Sequence, residues 1–162
     1  MVKEAIMIKK YPSSILRKKA KPIKNVTDNI LDILDKMVSI MHDNHGIGLA
    51  ATQIGIDLSL AVVDAGDGLK KMINPEILKK DGCDIMEEGC LSIPRTIVKV
   101  RRAKSVTVQY LDEKGKIVKI KSDGLTAKAV QHEIDHLCGR LIIDYMPWYK
   151  RVVFAAVNRN LE

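Results

Sequence analysis

Apolar residues follow a helical period in the first third of the chain. They recur at intervals of three or four positions, at Ile30, Leu34, Met37 and Met41. This spacing places the four side chains on one face of a helix. Gly46 lies just beyond the last of them, and a glycine there is typical of a helix end. The pattern predicts an amphipathic helix from Asp28 to Asp43 whose apolar stripe belongs to the core.

Strand patterns fill the middle of the chain. Segments rich in β-branched residues predict strands at 58–63, from 72 onward, at 105–110 and at 116–121. Asp112–Gly115 separates the last two segments and is typical of a hairpin turn. Adjacent strands joined in this way are antiparallel.

Two more helices are predicted towards the C-terminus. Ser122 or Asp123 can cap the first, and Gly139 can end it. The second is predicted at about 147–160. Because the strands lie between helices, the sequence predicts an α+β fold with antiparallel sheets packed around a central helix. With 162 residues, 46% of them hydrophobic, the chain is expected to form a single domain over 1–162.

The predicted central helix contains the pattern H-E-x-x-H at residues 132–136. One helical turn holds about 3.6 residues, so His132 and His136 lie on the same face. Two imidazoles so placed can hold one divalent metal, and Glu133 beside them can handle the proton of a water that the metal activates. A catalytic metal usually takes three protein ligands. A third ligand is therefore required.

The third ligand does not follow the helix as it does in zinc proteases. Metzincins need a further histidine, but this chain has Ile142 at that position. The acidic residues after His136 are Asp144 and Glu162, and they fit the spacing of thermolysin-like proteases poorly. Cys90 is the upstream candidate, because a thiolate is a good ligand for borderline divalent metals. A buried core cysteine is the alternative.

Small residues dominate the segment from His45 to Gly55, so a ligand or another backbone can approach it closely. Its glycines do not match G-x-G-x-x-G and no lysine follows them, which disfavours a nucleotide-binding loop. Gln53 ends the run, and its amide can donate a hydrogen bond to a developing oxyanion. A buried turn with a surface glutamine is the alternative.

Three segments together resemble the peptide deformylases of the bacterial type. They read G-x-G-x-A-A-x-Q at 46–53, E-G-C-L-S at 88–92 and Q-H-E-x-D-H at 131–136, in the order found in that family. The resemblance extends from about Leu16 to Tyr145. It implies a metal-dependent hydrolase that removes the N-formyl group from the N-terminal formyl-methionine of newly synthesised polypeptides and releases formate.

The resemblance also implies roles for the metal-site residues. Cys90, His132 and His136 would hold one divalent metal per chain. In this family it is generally ferrous iron, which zinc, nickel or cobalt can replace, whereas the ligands alone suggest zinc. Glu133 would take up the proton of the attacking water and pass it to the leaving nitrogen, while the Gln53 amide and the Leu91 backbone N–H would stabilise the oxyanion.

Substrate-binding residues are expected beside the metal. Leu125 and Ala129 precede His132 by seven and three residues, so they point to the metal side of the helix. With Ile47 they would line an apolar pocket for the methionine side chain, and ordinary core packing is the alternative. The residues Gly48, Glu88 and Gly89 resemble the peptide-docking elements of the family.

Other polar residues near the motifs are given lesser roles. Asp135 is expected to support the fold, and His42 and His45 are expected to be solvated residues at a helix end. The family often carries a basic residue after Ile93-Pro94. Arg95 or the basic run at 99–102 can serve that purpose here.

Charge and composition limit the partners. A net charge of +7 permits weak attraction to ribosomal RNA, and Lys150, Arg151 and Arg159 form a sparse basic tail, so at most a weak ribosome association is expected. Aromatic residues do not alternate with basic ones, which argues against base stacking and DNA binding. No apolar run approaches the length that spans a bilayer, so no membrane partner is expected.

The ends of the chain and its cysteines bear on the compartment. The N-terminus lacks the long apolar core of a signal peptide. Of three cysteines one is assigned to metal, and Cys83 and Cys138 are expected to be free thiols in a reducing cytosol. These features predict a cytoplasmic protein. The final Leu161-Glu162 is typical of a cloning remnant.

Two other classes of protein share some of these features. A zinc endopeptidase uses the same helix, and cleavage of unformylated peptides would distinguish it. A basic binding protein with a structural metal needs a site closed by four ligands, and no fourth cysteine or histidine is evident near the motifs.

Overall fold

The structure is a computed structural model that describes residues 7–158. Within that range the chain forms three α-helices and seven strands, besides short 3₁₀ helices. The helices are α1 (Asp28–Asp43), α2 (Gly124–Leu137) and α3 (Trp148–Val157). The strands are β1 (Gly48–Ala50), β2 (Leu60–Val63), β3 (Lys70–Asp81), β4 (Asp84–Cys90), β5 (Ile93–Arg102), β6 (Ser105–Leu111) and β7 (Ile117–Asp123).

The strands form two separate antiparallel units. Five of them make one sheet in the order β1-β2-β3-β6-β7, and each neighbouring pair is antiparallel. The other two, β4 and β5, form a two-stranded ribbon. The predicted α+β class, with antiparallel sheets around the helix that carries the H-E-x-x-H pattern, is confirmed.

The larger sheet is covered by a helix on each face. Successive side chains of a strand point to opposite faces, and β2 is buried on both. Leu60 and Val62 pack in one cluster with Leu34, Met37 and Met41 of α1. On the opposite face, Ala61 and Val63 of β2 pack in a second cluster with Ala127 and Val130 of α2. The apolar stripe of α1 is thus part of the core, as its spacing predicts.

A third apolar cluster attaches the ribbon to the body of the domain. Val98 and Val100 of β5 pack with Leu16 near the N-terminus and with Leu141 and Ile142 after α2. This packing fixes β4, which ends at Cys90, against the helix that carries the two histidines.

The sequence predicts some elements well and others not at all. The bounds of α1 agree with the prediction, and α3 lies within the predicted segment 147–160. The β4–β5 ribbon is not predicted by the hydrophobic pattern. The first six residues, the end of the predicted last helix, Arg159 and Leu161-Glu162 lie outside the described residues. In the part that the structure describes, no helix combines the length and hydropathy needed to cross a bilayer.

Candidate metal centre and active site

Three potential metal ligands converge where β4 meets α2. His132 and His136 lie one turn apart on α2, and Cys90 is the last residue of β4. The Cys90 Sγ and His136 Nε2 atoms are 3.2 Å apart, and the two histidine Nε2 atoms are also 3.2 Å apart. All three ligand atoms lie within 4.8 Å of one another. Within residues 7–158, no other group of three or more such side chains is close enough to hold a metal.

These side chains fit a divalent metal. Tetrahedral metal–ligand bonds of about 2.0–2.3 Å put neighbouring donor atoms roughly 3.3–3.6 Å apart, close to the separations observed here. Burial is the main cause that lowers the pKa of His136 well below its ordinary value, which favours the neutral imidazole that binds metals. Three ligands leave a fourth position open, as in catalytic sites rather than structural ones.

Glu133 lies beside the ligands with one free oxygen. Its side chain is buried, and Oε2 has no hydrogen-bond partner among the described residues. Burial raises its pKa to about 7, against the opposing charges of His132 and Arg102. Space for this carboxylate depends on Gly48, because a Cβ at that position would lie 2.3 Å from Glu133 Oε1. Glu133 is therefore placed to exchange a proton near neutral pH.

Gln53 presents its amide nitrogen to the thiol side of the centre. The Ala50 backbone N–H donates to Gln53 Oε1 at 2.8 Å, which fixes the orientation of the amide. Gln53 Nε2 then lies 3.2 Å from Ser92 Oγ and 3.5 Å from Cys90 Sγ. The N–H groups are thus held near the metal position. Sequence reasoning assigned no role to Ser92, although it belongs to the same short motif as Cys90.

Glu88 is buried beside His132, and both of its carboxylate oxygens are hydrogen-bonded. Glu88 Oε2 is 3.0 Å from His132 Nδ1. Arg102 donates to both oxygens, at 2.8 and 2.9 Å, and also to Asp135 at 2.5 Å. Burial opposes ionisation of Glu88, but the hydrogen bonds from Arg102 and His132 outweigh it and lower its pKa to about 2. The carboxylate thus contacts His132 and Arg102, while the peptide-docking role that the sequence predicts for Glu88 stays a prediction.

Replacement of Glu88 by Gln is expected to weaken metal binding. The amide keeps the shape of the side chain but removes the negative charge that fixes the His132 ring, and loss of such a partner typically costs about 10–100-fold in affinity. Competition with a chelator measures the change. Glu87→Gln, at the exposed neighbouring position, is the control. Equal metal affinity in both variants would contradict the orienting role.

A cavity of about 520 Å³ opens beside this centre. Eleven of the twelve residues that the sequence singles out line it: Ile47, Gly48, Gln53, Glu88, Gly89, Cys90, Leu91, Leu125, Ala129, His132 and Glu133. The twelfth, His136, is buried at the contact between α2 and Cys90. The volume suits a peptide terminus or another small ligand.

Several lining residues are not found by sequence reasoning. His45 is exposed, as expected for a solvated residue, and it also lies in the cavity wall, as do Met86 and Lys128. Arg95, one of the two candidates for a basic residue after Pro94, also lines the cavity, in an irregular part of β5 where the register with β4 shifts. Such irregularities are common beside active sites. The sequence does indicate the position of Lys128, because it precedes His132 by four residues and so lies on the same face of the helix.

The alternative third ligand is occupied elsewhere. Asp144, an acidic residue downstream of the motif, pairs with Arg17 at 2.5 Å and accepts a hydrogen bond from the Leu141 backbone. Asp135 contacts Arg102 and Tyr145, in agreement with its expected structural role. Within residues 7–158, no acidic residue downstream of the motif joins the two histidines, so the ligand set of a thermolysin-like protease is not formed there.

The site defines a metal-dependent hydrolase. It combines an H-E-x-x-H helix, a third candidate ligand from a neighbouring strand and a buried glutamate beside an open cavity. The family model described as polypeptide deformylase matches residues 5–152. The chain belongs to the peptide deformylase family, whose enzymes remove the N-formyl group from newly synthesised polypeptides.

Individual relatives agree with this assignment. The peptide deformylase of Halothermothrix orenii is 49% identical over 141 residues, covering 86% of this chain and 92% of the relative. The crystal structure of the Thermotoga maritima peptide deformylase has a TM-score of 0.85 at 39% identity, covering 88% of this chain and 97% of that one.

Several of the similar structures contain a bound molecule. The Synechococcus elongatus enzyme in complex with actinonin has a TM-score of 0.88 at 34% identity, covering 97% of this chain and 87% of that one. An Acinetobacter baumannii enzyme with Met-Ala-Ser bound has a TM-score of 0.84 at 31% identity, covering 87% of this chain and 98% of that one.

Proposed function

We propose that Cys90, His132 and His136 hold one divalent metal, and that Glu133 moves the proton when the formyl group is removed from N-terminal formyl-methionine. The observation that carries this proposal is the convergence of three ligand atoms beside a buried carboxylate with a free oxygen. We also propose that residues 1–162 form one catalytic domain.

The chemistry divides between the metal and the protein. When bound, a divalent metal activates a water and polarises the carbonyl oxygen of the substrate. Glu133 accepts the proton that the attacking water loses as its oxygen bonds to the formyl carbon. Glu133 then delivers that proton to the amide nitrogen as the carbon–nitrogen bond breaks. Formate and a free amino terminus are the products.

Gln53 and Leu91 are the proposed donors to the oxyanion. Gln53 is held by the Ala50 backbone and Ser92 with its N–H groups towards Cys90. Leu91 follows Cys90 directly in the two-residue turn between β4 and β5 and lines the cavity. Donors fixed before the reaction begins stabilise developing charge without reorganising.

The substrate side chain and backbone have separate proposed sites. Ile47 and Leu125 are partly exposed apolar side chains in the cavity, and with Ala129 they form a surface suited to methionine. The backbones of Gly48, Glu88 and Gly89 are the proposed docking strand for the peptide. The Met-Ala-Ser peptide bound in the Acinetobacter baumannii structure supports a methionine-headed ligand for this cavity.

Ferrous iron is the proposed metal, with zinc, nickel or cobalt able to replace it. The set of one thiolate and two imidazoles suits several borderline divalent metals, so the preference for iron rests on family membership. The described residues contain all three cysteines and all three are unpaired, which supports a reducing, cytoplasmic compartment.

Newly synthesised formylated chains are the substrates of the family, and a weak association with the ribosome is proposed for this member. Lys150 and Arg151 of α3 supply positive charge, and the net charge of the chain is +7. Arg159, the third residue of the basic tail, lies outside the described part.

The substrate test compares formyl-Met-Ala-Ser with acetyl-Met-Ala-Ser. The space between Glu133 and Gly48 is filled, since a Cβ on Gly48 would overlap the carboxylate. The extra methyl of an acetyl group must displace a neighbour or tilt the carbonyl, and misplacement by about 1 Å can cost about a hundredfold in rate. We expect kcat/KM to fall at least that far for the acetyl peptide, while norleucine in place of methionine costs little. Comparable formyl and acetyl rates would contradict the proposed site.

A further inference from the structure

Lys128 is a charged side chain in the cavity wall that the proposed mechanism does not use. It lies on α2 four residues before His132 and eight before His136, so the three side chains share one face of the helix. Lys128 lines the same cavity as Leu125 and Ala129. Its side chain is only 15% exposed, so the ammonium needs a nearby partner.

That partner comes from β4, the strand that also supplies Cys90. Three contacts link this face of α2 to β4: Lys128 Nζ to Asp84 Oδ2 at 2.7 Å, His132 Nδ1 to Glu88 Oε2 at 3.0 Å, and His136 Nε2 to Cys90 Sγ at 3.2 Å. Alternate residues of a strand share a face, so the three β4 partners point to the same side. Of these three contacts, the Lys128–Asp84 ion pair lies farthest along both elements from His136 and Cys90.

The ion pair sets the position of the lysine ammonium relative to the pocket. Asp84 is not among the residues that line the cavity, whereas Lys128 is. The four-carbon stem of a lysine is apolar and can contact an apolar ligand, while its charged end stays with a polar partner. A methionine side chain between Leu125 and Ala129 can thus run along the stem, while Asp84 holds the charge away from it.

We propose that the Lys128–Asp84 pair determines which substrate side chains the pocket accepts. With Asp84 in place, the pocket presents apolar surface and takes methionine. Once the ammonium is free of Asp84, it turns into the pocket and binds an acidic side chain of about the length of methionine, so N-formyl peptides that begin with glutamate become better substrates. This inference rests on the proposed function, because it requires the methionine pocket at Leu125 and Ala129.

The test uses two peptides that differ in one charge, formyl-Glu-Ala-Ser and formyl-Gln-Ala-Ser. The measured quantity is the ratio of their kcat/KM values. In Asp84→Asn we expect this ratio to rise about fivefold, the size typical of one partly exposed ion pair. In Lys128→Met the ratio should fall below that of the unaltered protein. The double variant should resemble Lys128→Met, because the ammonium that Asp84→Asn releases is then absent.

Asp35→Asn is the matched control. Asp35 pairs with Lys71 at 2.6 Å, and the exposures of the two side chains, 66% and 18%, are similar to the 45% and 15% of Asp84 and Lys128. Asp35→Asn removes one negative charge, as Asp84→Asn does, but neither Asp35 nor Lys71 lines the cavity. The Glu-to-Gln ratio should not change. Calorimetric binding of Glu-Ala-Ser and Gln-Ala-Ser gives a second readout that does not require turnover.

The outcomes separate this inference from the function on which it rests. A ratio within twofold of the unaltered protein in Asp84→Asn, by both kinetics and binding, overturns the inference. An equal gain in Asp35→Asn or in the double variant also overturns it, because the ammonium of Lys128 is then not responsible. If the unaltered protein releases no formate from formyl-Met-Ala-Ser, the proposed function fails and the inference fails with it. If it does release formate and the ratio is flat, only the inference fails.

Discussion

Glu133→Gln is expected to reduce kcat by at least about two orders of magnitude while the metal remains bound. The glutamine has nearly the same shape, but it cannot accept the proton of the attacking water, and general acid–base catalysis typically contributes about 10²–10⁴-fold. Cys90, His132 and His136 are unchanged in this variant, so metal binding should persist. Formate release and metal content per chain are the two measurements.

The control for this variant is Glu113→Gln. Glu113 is an exposed glutamate that pairs with Lys71. It makes the same chemical change far from the ligands and should leave both quantities near their original values. Near-normal formate release by metal-loaded Glu133→Gln would remove Glu133 from the mechanism. Loss of metal together with activity would instead assign it a role in the ligand set.

Gly48→Ala is expected to reduce kcat by about a hundredfold without preventing folding. The added Cβ would lie 2.3 Å from Glu133 Oε1, so the carboxylate must move. The atom that gives way is the end of a side chain rather than backbone, which keeps the cost in stability small. Displacement of a catalytic group by about 1 Å is enough for a loss of that size. Formate release, metal content and the unfolding temperature check the three parts of this prediction.

Gly89→Ala is the comparison for the second variant. A Cβ at Gly89 would meet Ile97 Cδ1 at 3.4 Å, an ordinary contact, although this glycine also lines the cavity. It should lose much less activity than Gly48→Ala. Losses of equal size in the two variants would indicate that cavity glycines matter for substrate access rather than for the position of Glu133.

The local parts of the fold follow from the sequence, and the parts held by distant partners do not. The bounds of α1 are readable because its four buried residues repeat along one helix face. The β4–β5 ribbon is not readable in this way, because some of its apolar side chains are exposed and some of its charged side chains are buried. Ile85 and Ile97 are exposed, whereas the charged residues Glu88 and Arg102 are buried. These two charged residues pair with each other across the ribbon, and they also contact Asp135 and His132 of α2, 33 and 44 positions away, which no local pattern reveals.

The same distinction applies to the site. The motifs locate Cys90, Glu133 and the two histidines, since each motif holds its residues within a few positions. Glu88 is found as a site residue, but its contact with His132 Nδ1 depends on how the ribbon docks on α2. The spacing places Lys128 on the same helix face as His132, but its ion pair with Asp84 depends on how β4 docks on α2.

The most direct test of the central claim is a titration of the metal-free protein with Fe²⁺ under anaerobic conditions, with formate release from formyl-Met-Ala-Ser as the signal. Activity should be absent at the start and should rise linearly to a plateau at one metal ion per chain. The Cys90→Ala and His136→Ala variants should reach no such plateau in the same range, because each lacks one of the three ligands. Full activity without metal, a plateau far from one equivalent, or normal titration of either variant would contradict the account.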